Sequence, residues 1–372
     1  MYGHPLPERI FEDKGVLMKK RVLIDLHILK YPYCGLGQIA WNYARWFRDS
    51  YTPDDNIEVT LLVPAKYKGA FGDKVKYQTG GLLRRWFPIL FPKFDIWHST
   101  DQMPRFLPYS KDTKYVITVH DLNYEYEESG SRLERVRRRI KSLLLRSDSI
   151  ICISEFTKSE ILRFASYAKE KPMEVIYDGV ESLTDKKAVS PAAVKSGKPF
   201  FFTIGEVRKK KNFHVLLDVM KKFPDYELYI AGALTSEYPE YIRQRLDKEN
   251  IKNVTLLGKV STEEKVWLYR NCTAFLFPSL FEGFGLPVIE AMQFGKPVFC
   301  SDKTSLKEIG SDKAWFWTDF EPDYMVEVIK KGLEEYRTNP SISESIERYG
   351  RSFTYEKNLL ALFALYRRLI GV

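Results

Sequence analysis

The sequence predicts an α/β protein of two doubly wound, Rossmann-like parallel-sheet domains that face each other across a central cleft. Three observations predict it. Short apolar runs rich in β-branched and aromatic residues alternate with longer amphipathic segments, the pattern of a parallel sheet covered by helices on both faces. The alternation stops once, in a polar stretch before residue 199, and then restarts. The length, 372 residues, exceeds the roughly 300 residues at which single cores stop growing.

Taken in order, residues 1–17 carry no sustained period and read as an N-terminal extension. The first domain, 18–185, opens on the strand 21–26 (Arg-Val-Leu-Ile-Asp-Leu). Further strands are expected at 57–63, 94–98, 115–120, 149–153 and 173–177, with helices at 38–48, 131–146 and 155–168. Residues 186–198 are polar and aperiodic, as a linker is. The second domain, 199–352, has expected strands at 199–205, 226–231, 253–257, 274–278 and 297–300, and helices near 212–223, 236–249, 262–270 and 286–294. From 322 onward the chain is mostly helical. Its last part, 353–372, is expected to turn back toward the first domain. Ligands of open α/β sheets bind outside the carboxyl ends of the strands, so the gap between the domains is the expected site.

Apolar residues make up 44% and charged residues 29%, a globular balance that excludes a disordered chain. No run of about 18 apolar residues offers a membrane span, and the first residues lack the apolar core of a signal peptide. Cys34, Cys152, Cys272 and Cys300 form no CxxC pair, which favours reduced thiols over a disulfide frame or a structural zinc. These features lead to the expectation of a cytoplasmic chain, peripheral at most on the membrane's cytoplasmic face. The net charge of +9 suggests anionic partners. Segment 132–146 holds seven basic residues against the single acid Glu134, and 82–93 mixes Leu, Trp and Phe with Arg and Lys. Both suit contact with the anionic inner face of a membrane, at about 1 kcal/mol per basic residue; a solvated helix and a buried loop account for them as well. No zinc spacing or RNA-binding signature points to nucleic acid. D-x-D, Walker A and G-x-G-x-x-G are all missing, so neither a metal–diphosphate grip nor a dinucleotide cofactor is expected.

Four constellations can carry chemistry. In the run from Pro278 to Met292, Glu282 lies in a glycine-containing loop and Glu290 in the helix that Pro287 opens. Such a loop offers free backbone N–H groups, and its carboxylates suit sugar or ribose hydroxyls. A plain strand–loop–helix turn with solvated carboxylates is the alternative. Second, Gly205-Glu-Val-Arg208-Lys-Lys-Lys211 puts four cations at a helix start, where the helix dipole disfavours them but a departing diphosphate would use them. A solvated charge run is the alternative. Third, Gly35 and Gly37 stand between the first strand and a helix; they form either an ordinary turn or a close approach of backbone to ligand. Fourth, His120 and Asp121 end the strand 115–120, at the cleft edge, and His98 is a weaker candidate on the acceptor side. His4, His27 and His214 read as structural.

The spacing Glu282 to Glu290 resembles the E-x7-E motif of retaining GT-B glycosyltransferases, most closely family 4 (glycosyl transferases group 1). The stretches from Gly258 through Tyr269, from Phe277 through Met292 and at Gly295-Lys-Pro-Val also resemble that family. The resemblance implies a GT-B fold and metal-independent transfer of a hexose, with retention, from GDP-mannose or a UDP-sugar. The acceptor would be a glycan or a polyprenyl-linked oligosaccharide of the cell envelope, as in lipopolysaccharide synthesis. It implies catalytic roles for His120, Glu282 and Lys211. Donor binding would fall to Gly35, Gly37, Arg208, Lys211, Lys259, Val260, Glu282, Phe284, Gly285, Leu286 and Glu290. Asp121 would join His98 on the acceptor side. The sequence departs from the family at Glu206, where many members carry arginine; Arg208 is the substitute guanidinium. A GT-B sugar-nucleotide epimerase and a non-catalytic sugar-nucleotide-binding homologue are the alternative functions.

Overall fold

A computed structural model describes residues 19–31, 35–194 and 197–372; the expected extension 1–17 and Cys34 lie outside the described residues. Two parallel sheets form the molecule. The first holds β1 (Lys20–Asp25), β2 (Ile57–Val63), β3 (Lys76–Thr79), β4 (Ile96–Ser99), β5 (Lys114–Val119), β6 (Ser149–Cys152) and β7 (Met173–Val175), in the order β3-β2-β1-β4-β5-β6-β7. The second holds β8 (Phe200–Ile204), β9 (Glu227–Ala231), β10 (Val254–Gly258), β11 (Ala274–Phe277), β12 (Val298–Ser301) and β13 (Trp315–Trp317), in the order β10-β9-β8-β11-β12-β13. Each sheet winds outward in both directions from its first strand. The resulting switch points lie between β1 and β4 and between β8 and β11, where such folds open a crevice.

Central strands are buried on both faces, which explains their unbroken apolar runs: Val22, Leu23 and Ile24, and Phe201 with Phe202, are fully buried. Two strands, β3 and β13, escaped the sequence pattern. Both are edge strands, of four and three residues, and β3 (Lys-Tyr-Gln-Thr) is half-exposed along its length. The expected helix 155–168 ends at Phe164 and continues as a 3-10 turn, Ser166–Ala168. The expected helix 212–223 shortens to Val215–Lys221, because Asn212 takes a left-handed conformation, φ 58°, after the turn Lys209–Lys211.

The tail is three helices, Pro322–Thr338, Ser341–Arg351 and Tyr355–Ile370. The last buries Leu359, Leu362, Phe363, Leu365 and Tyr366 in the core of the first sheet, beside the helix Gly35–Asp49. Phe363 stacks on Tyr51 at 5.7 Å. The end of the chain therefore completes the first lobe, and the lobes are crossed twice by the backbone. Among the described residues no helix is long and apolar enough to cross a membrane.

Candidate active site

The cleft lies where the carboxyl ends of both sheets meet. Two confluent cavities of about 680 and 520 Å³ occupy it, and both are bordered by Gly35, Gly205, Glu206, Lys265, Leu286 and Glu290.

On the second-lobe side the loop after β11 supplies Glu282. Its carbonyl accepts from Ser305 Oγ at 2.9 Å and its N–H donates to Thr304 Oγ1 at 3.1 Å. The turn after β8 brings Lys211 to the same point. Lys211 Nζ donates to Glu282 Oε1, and both side chains are about 14% exposed at most. Gly283 follows. A Cβ there would meet the carbonyl oxygen of His120 at 2.0 Å, so only glycine allows the two lobes to close at this point. Gly285 holds φ 108° at the start of the short helix Leu286–Met292, which carries Glu290. Glu290 is gripped by Lys265 Nζ at 2.7 Å and by the hydroxyl of Tyr269 at 2.9 Å. Lys265 comes from the helix Thr262–Asn271, which Ser261 and Glu264 cap reciprocally. Lys259 and Val260 line the larger cavity with Gly232, Ala233 and Thr235.

The four-cation run separates on folding. Lys211 enters the cleft. Arg208 pairs with Glu206 at 2.8 Å, and Thr235 Oγ1 donates to the same carboxylate at 2.8 Å. Lys210 bridges the lobes to Glu127 at 2.7 Å; Arg208 and Lys210 border the smaller cleft cavity with Lys211, whereas Lys209 borders only a further cavity beside Glu127 and Tyr238.

From the first lobe come Gly35, His120, Asp121 and the buried Asp178. Gly37 lies in the first turn of the helix Gly35–Asp49 and is buried. His120 Nε2 stands 2.8 Å from the carbonyl of Thr100, and Nδ1 stands 3.7 Å from Asp178 Oδ2. Burial opposes a charge on this ring, but Asp178, the Thr100 carbonyl and Asp121 outweigh it and raise its pKa. Asp121 Oδ1 accepts from the N–H of Asn123 at 3.0 Å. Phe284, Gly285 and Leu286 border the smaller cavity.

His98 does not reach the cleft. It is fully buried, with Nδ1 at 2.5 Å from the hydroxyl of Tyr366 and Nε2 at 2.8 Å from Thr118 Oγ1. Burial, with a smaller effect of His120, pushes its pKa down to about 3, so it is a neutral clasp on the terminal helix. Its assignment to the acceptor side is therefore corrected. The two surface segments also differ. The helix Gly130–Arg146 buries Ile140, Leu143 and Leu144, while Arg137 pairs with Glu125 and Arg139 and Arg146 donate to the carbonyls of Pro104 and Pro108. Its apolar stripe is committed to the core. By contrast Leu82, Leu83, Trp86, Phe87, Ile89 and Leu90 all face outward, Trp86 at 72%.

Lys265, Asp178 and Thr235 were not singled out in the sequence. Lys265 sits inside the family-like stretch beginning at Gly258 and carries a signal there. Asp178 has none, because nothing nearby in the chain marks an aspartate that meets a histidine 58 positions away.

The profile "Glycosyl transferases group 1" matches residues 185–353, and "Glycosyltransferase Family 4" matches 45–182. The chain is 28% identical over 254 residues to O-antigen chain mannosyltransferase B of Escherichia coli, covering 62% of this chain and 66% of that protein. It is 29% identical over 202 residues to O-antigen chain mannosyltransferase RfbU of Salmonella typhimurium, covering 54% and 55%. The chain thus spans between half and two thirds of the length of these relatives. Among solved structures, sucrose-phosphate synthase from Thermosynechococcus elongatus superposes with a TM-score of 0.70 at 17% identity, covering 95% of this chain and all of that one. Anabaena HepE in complex with UDP-glucose superposes with a TM-score of 0.68 at 16% identity, covering 93% and 99%. At these identities the likeness shows a shared GT-B fold.

Proposed function

From the premise that the chain belongs to the family 4, group 1 glycosyltransferases, we propose that it transfers a hexose, with retention, from a nucleotide-diphosphate sugar to a glycan in envelope polysaccharide synthesis. Mannose is the sugar that the names of the two O-antigen mannosyltransferase relatives favour, and GDP-mannose is the activated form proposed for it here. One observation carries the reading: the cation–carboxylate pairs Lys211–Glu282 and Lys265–Glu290 stand together at the switch-point crevice between the lobes.

In this reading the nucleotide occupies the larger cavity, where Glu290 accepts from ribose hydroxyls and Lys259 and Val260 border the base. The sugar and diphosphate occupy the smaller one. Lys211 and Arg208 exchange their carboxylate partners for phosphate oxygens as negative charge grows on the leaving group. Glu282, released from Lys211, accepts from hydroxyls of the sugar as oxocarbenium character develops. The acceptor enters from the first-lobe side past Asp121, and its hydroxyl attacks on the face the diphosphate leaves. A phosphate oxygen takes the proton. Lysine and arginine supply the positive charge, so no resident metal is required. The exposed apolar segment 82–90, with Arg84 and Arg85, meets the anionic membrane surface from which a polyprenyl-linked acceptor is presented.

Incubation with GDP-mannose and a panel of UDP-sugars tests this, with melting temperature and product analysis as readouts. A donor at 100 times its Kd adds about 2.7 kcal/mol of stability. Transfer to a glycan with the donor's anomeric configuration supports the proposal. A new sugar nucleotide formed without acceptor would assign an epimerase instead, and binding with neither transfer nor hydrolysis a non-catalytic homologue.

A further inference from the structure

Asp178 has no place in the motifs that mark the cleft, yet it borders the smaller cavity and its carboxylate side chain is 3% exposed. It sits just beyond β7 in the segment that leaves the first lobe. That segment is fixed on both sides. Asn358 Nδ2 donates to the carbonyl of Tyr177 at 2.7 Å, and the N–H of Val180 donates to the carbonyl of Phe353 at 3.0 Å. A Cβ at Gly179 would meet Cα of Tyr355 at 2.5 Å, so the terminal helix presses directly on the turn.

The ring opposite is equally constrained. The carbonyl of Thr100 can only accept, so His120 Nε2 carries a proton and Nδ1 is the nitrogen left to face Asp178. A buried carboxylate needs a cation or several donors, and the only ion-pair partner the described residues bring to Asp178 is this ring.

We propose that Asp178 is a positioning residue: by pairing with Nδ1 it holds His120 as a doubly protonated imidazolium, locked in orientation, at the sugar end of the cleft. The ring then adds a third fixed positive charge beside Lys211 and Arg208, and it cannot serve as a general base. The inference rests on the cleft being the transfer site, but the state of the ring is measurable without turnover. The other charged or titratable groups that face this pair are Asp121 and Asp101 beside the ring, His98 behind it, Tyr43 and Tyr355 around Asp178, and Lys211 with Glu282 across the cavity. The acids favour the imidazolium, and Lys211 is neutralised by Glu282.

The test is a proton NMR titration of the full chain, with the His120 ring resonance identified by its loss in His120→Gln, joined to pH–rate profiles of wild type, Asp178→Asn and Asp178→Glu. In wild type the ring should titrate above the ordinary imidazole midpoint of about 6.5. In Asp178→Asn burial loses its largest counterweight, with only the Thr100 carbonyl and Asp121 left to oppose it, and the midpoint should fall below that value. The alkaline limb of kcat/KM should move to lower pH, with at least a tenfold greater loss at pH 8 than at pH 6, and Asp178→Glu should restore it. A wild-type midpoint at or below 6.5 overturns the proposal, whatever the variants do. So does an equal loss at both pH values in a folded Asp178→Asn. If the ring titrates as expected but no transfer is found, the fault lies in the functional reading and not in the pair.

Discussion

Lys211 and Glu282 both border the smaller cavity and pair with each other there. If Lys211 carries the leaving diphosphate, Lys211→Ala removes a charge-assisted contact worth a few kcal/mol of barrier, a loss in turnover of about a hundredfold or more. Glu282→Ala should lose about as much, with melting temperature within a few degrees of wild type for both. Wild-type rates in either folded variant would remove it from the chemistry. Asp25 makes a different kind of prediction. It ends β1, is 4% exposed, and accepts from the N–H of His27 at 2.9 Å. Burial pushes its pKa up to about 8, against that hydrogen bond and with Asp101 adding to the rise. The folded state therefore binds a proton that the unfolded state releases near pH 4, and stability falls as pH rises from there toward 8. Asp25→Asn, which mimics the protonated acid, should raise the melting temperature at pH 8 and leave it little changed at pH 4. Equal shifts at both would refute the assignment. At this scale the sequence marked Glu282, Glu290 and Lys211 because each lies in a compact local pattern. It left Asp178 unmarked and placed His98 wrongly, since burial and partners far along the chain decide both.

Among the elements, the two surface segments look alike as strings of cations and apolar residues and differ once folded. The helix Gly130–Arg146 spends its apolar stripe on the first-lobe core, whereas the short helix Leu82–Trp86 and the turn Pro88–Leu90 bury none of their residues. Exposed apolar clusters of this kind mark contact surfaces. In vesicle co-sedimentation with anionic lipid, Trp86→Ser combined with Leu83→Ser should lower the bound fraction at least tenfold. Removal of the exposed Arg135 and Lys141 should reduce it far less, and the reverse ranking would move the membrane face to the longer helix. The same contrast explains the missed strands: β3 and β13 are edge strands too short to show a period, while the buried central strands announce themselves by composition.

For the molecule as a whole, closure of the cleft is built from contacts between lobes. The carboxylate of Glu308, in the helix Ser305–Gly310, caps the helix Glu155–Phe164 by accepting from the N–H groups of Glu155 and Phe156 at 2.8 and 3.0 Å. Ser154 Oγ donates to the carbonyl of Gly283 at 2.8 Å beside it. Charged caps of this kind contribute about 1 kcal/mol. Glu308→Ala should therefore shift the population toward an open form, seen as a larger radius of gyration in X-ray scattering and a higher donor KM; unchanged scattering would deny it a role in closure. Chelation with EDTA should leave the transfer rate as it was, because side-chain cations serve the diphosphate; a loss restored by Mg²⁺ or Mn²⁺ would refute this. The two parallel-sheet lobes, the positions of most strands and the motif around Glu282 and Glu290 are legible in the amino-acid order, because hydrophobic period and loop chemistry are local. Folding alone settles which cation reaches which carboxylate, buries His98 as a clasp and brings Asp178 to face His120. Those outcomes depend on distances between residues far apart in the chain, which no local pattern encodes.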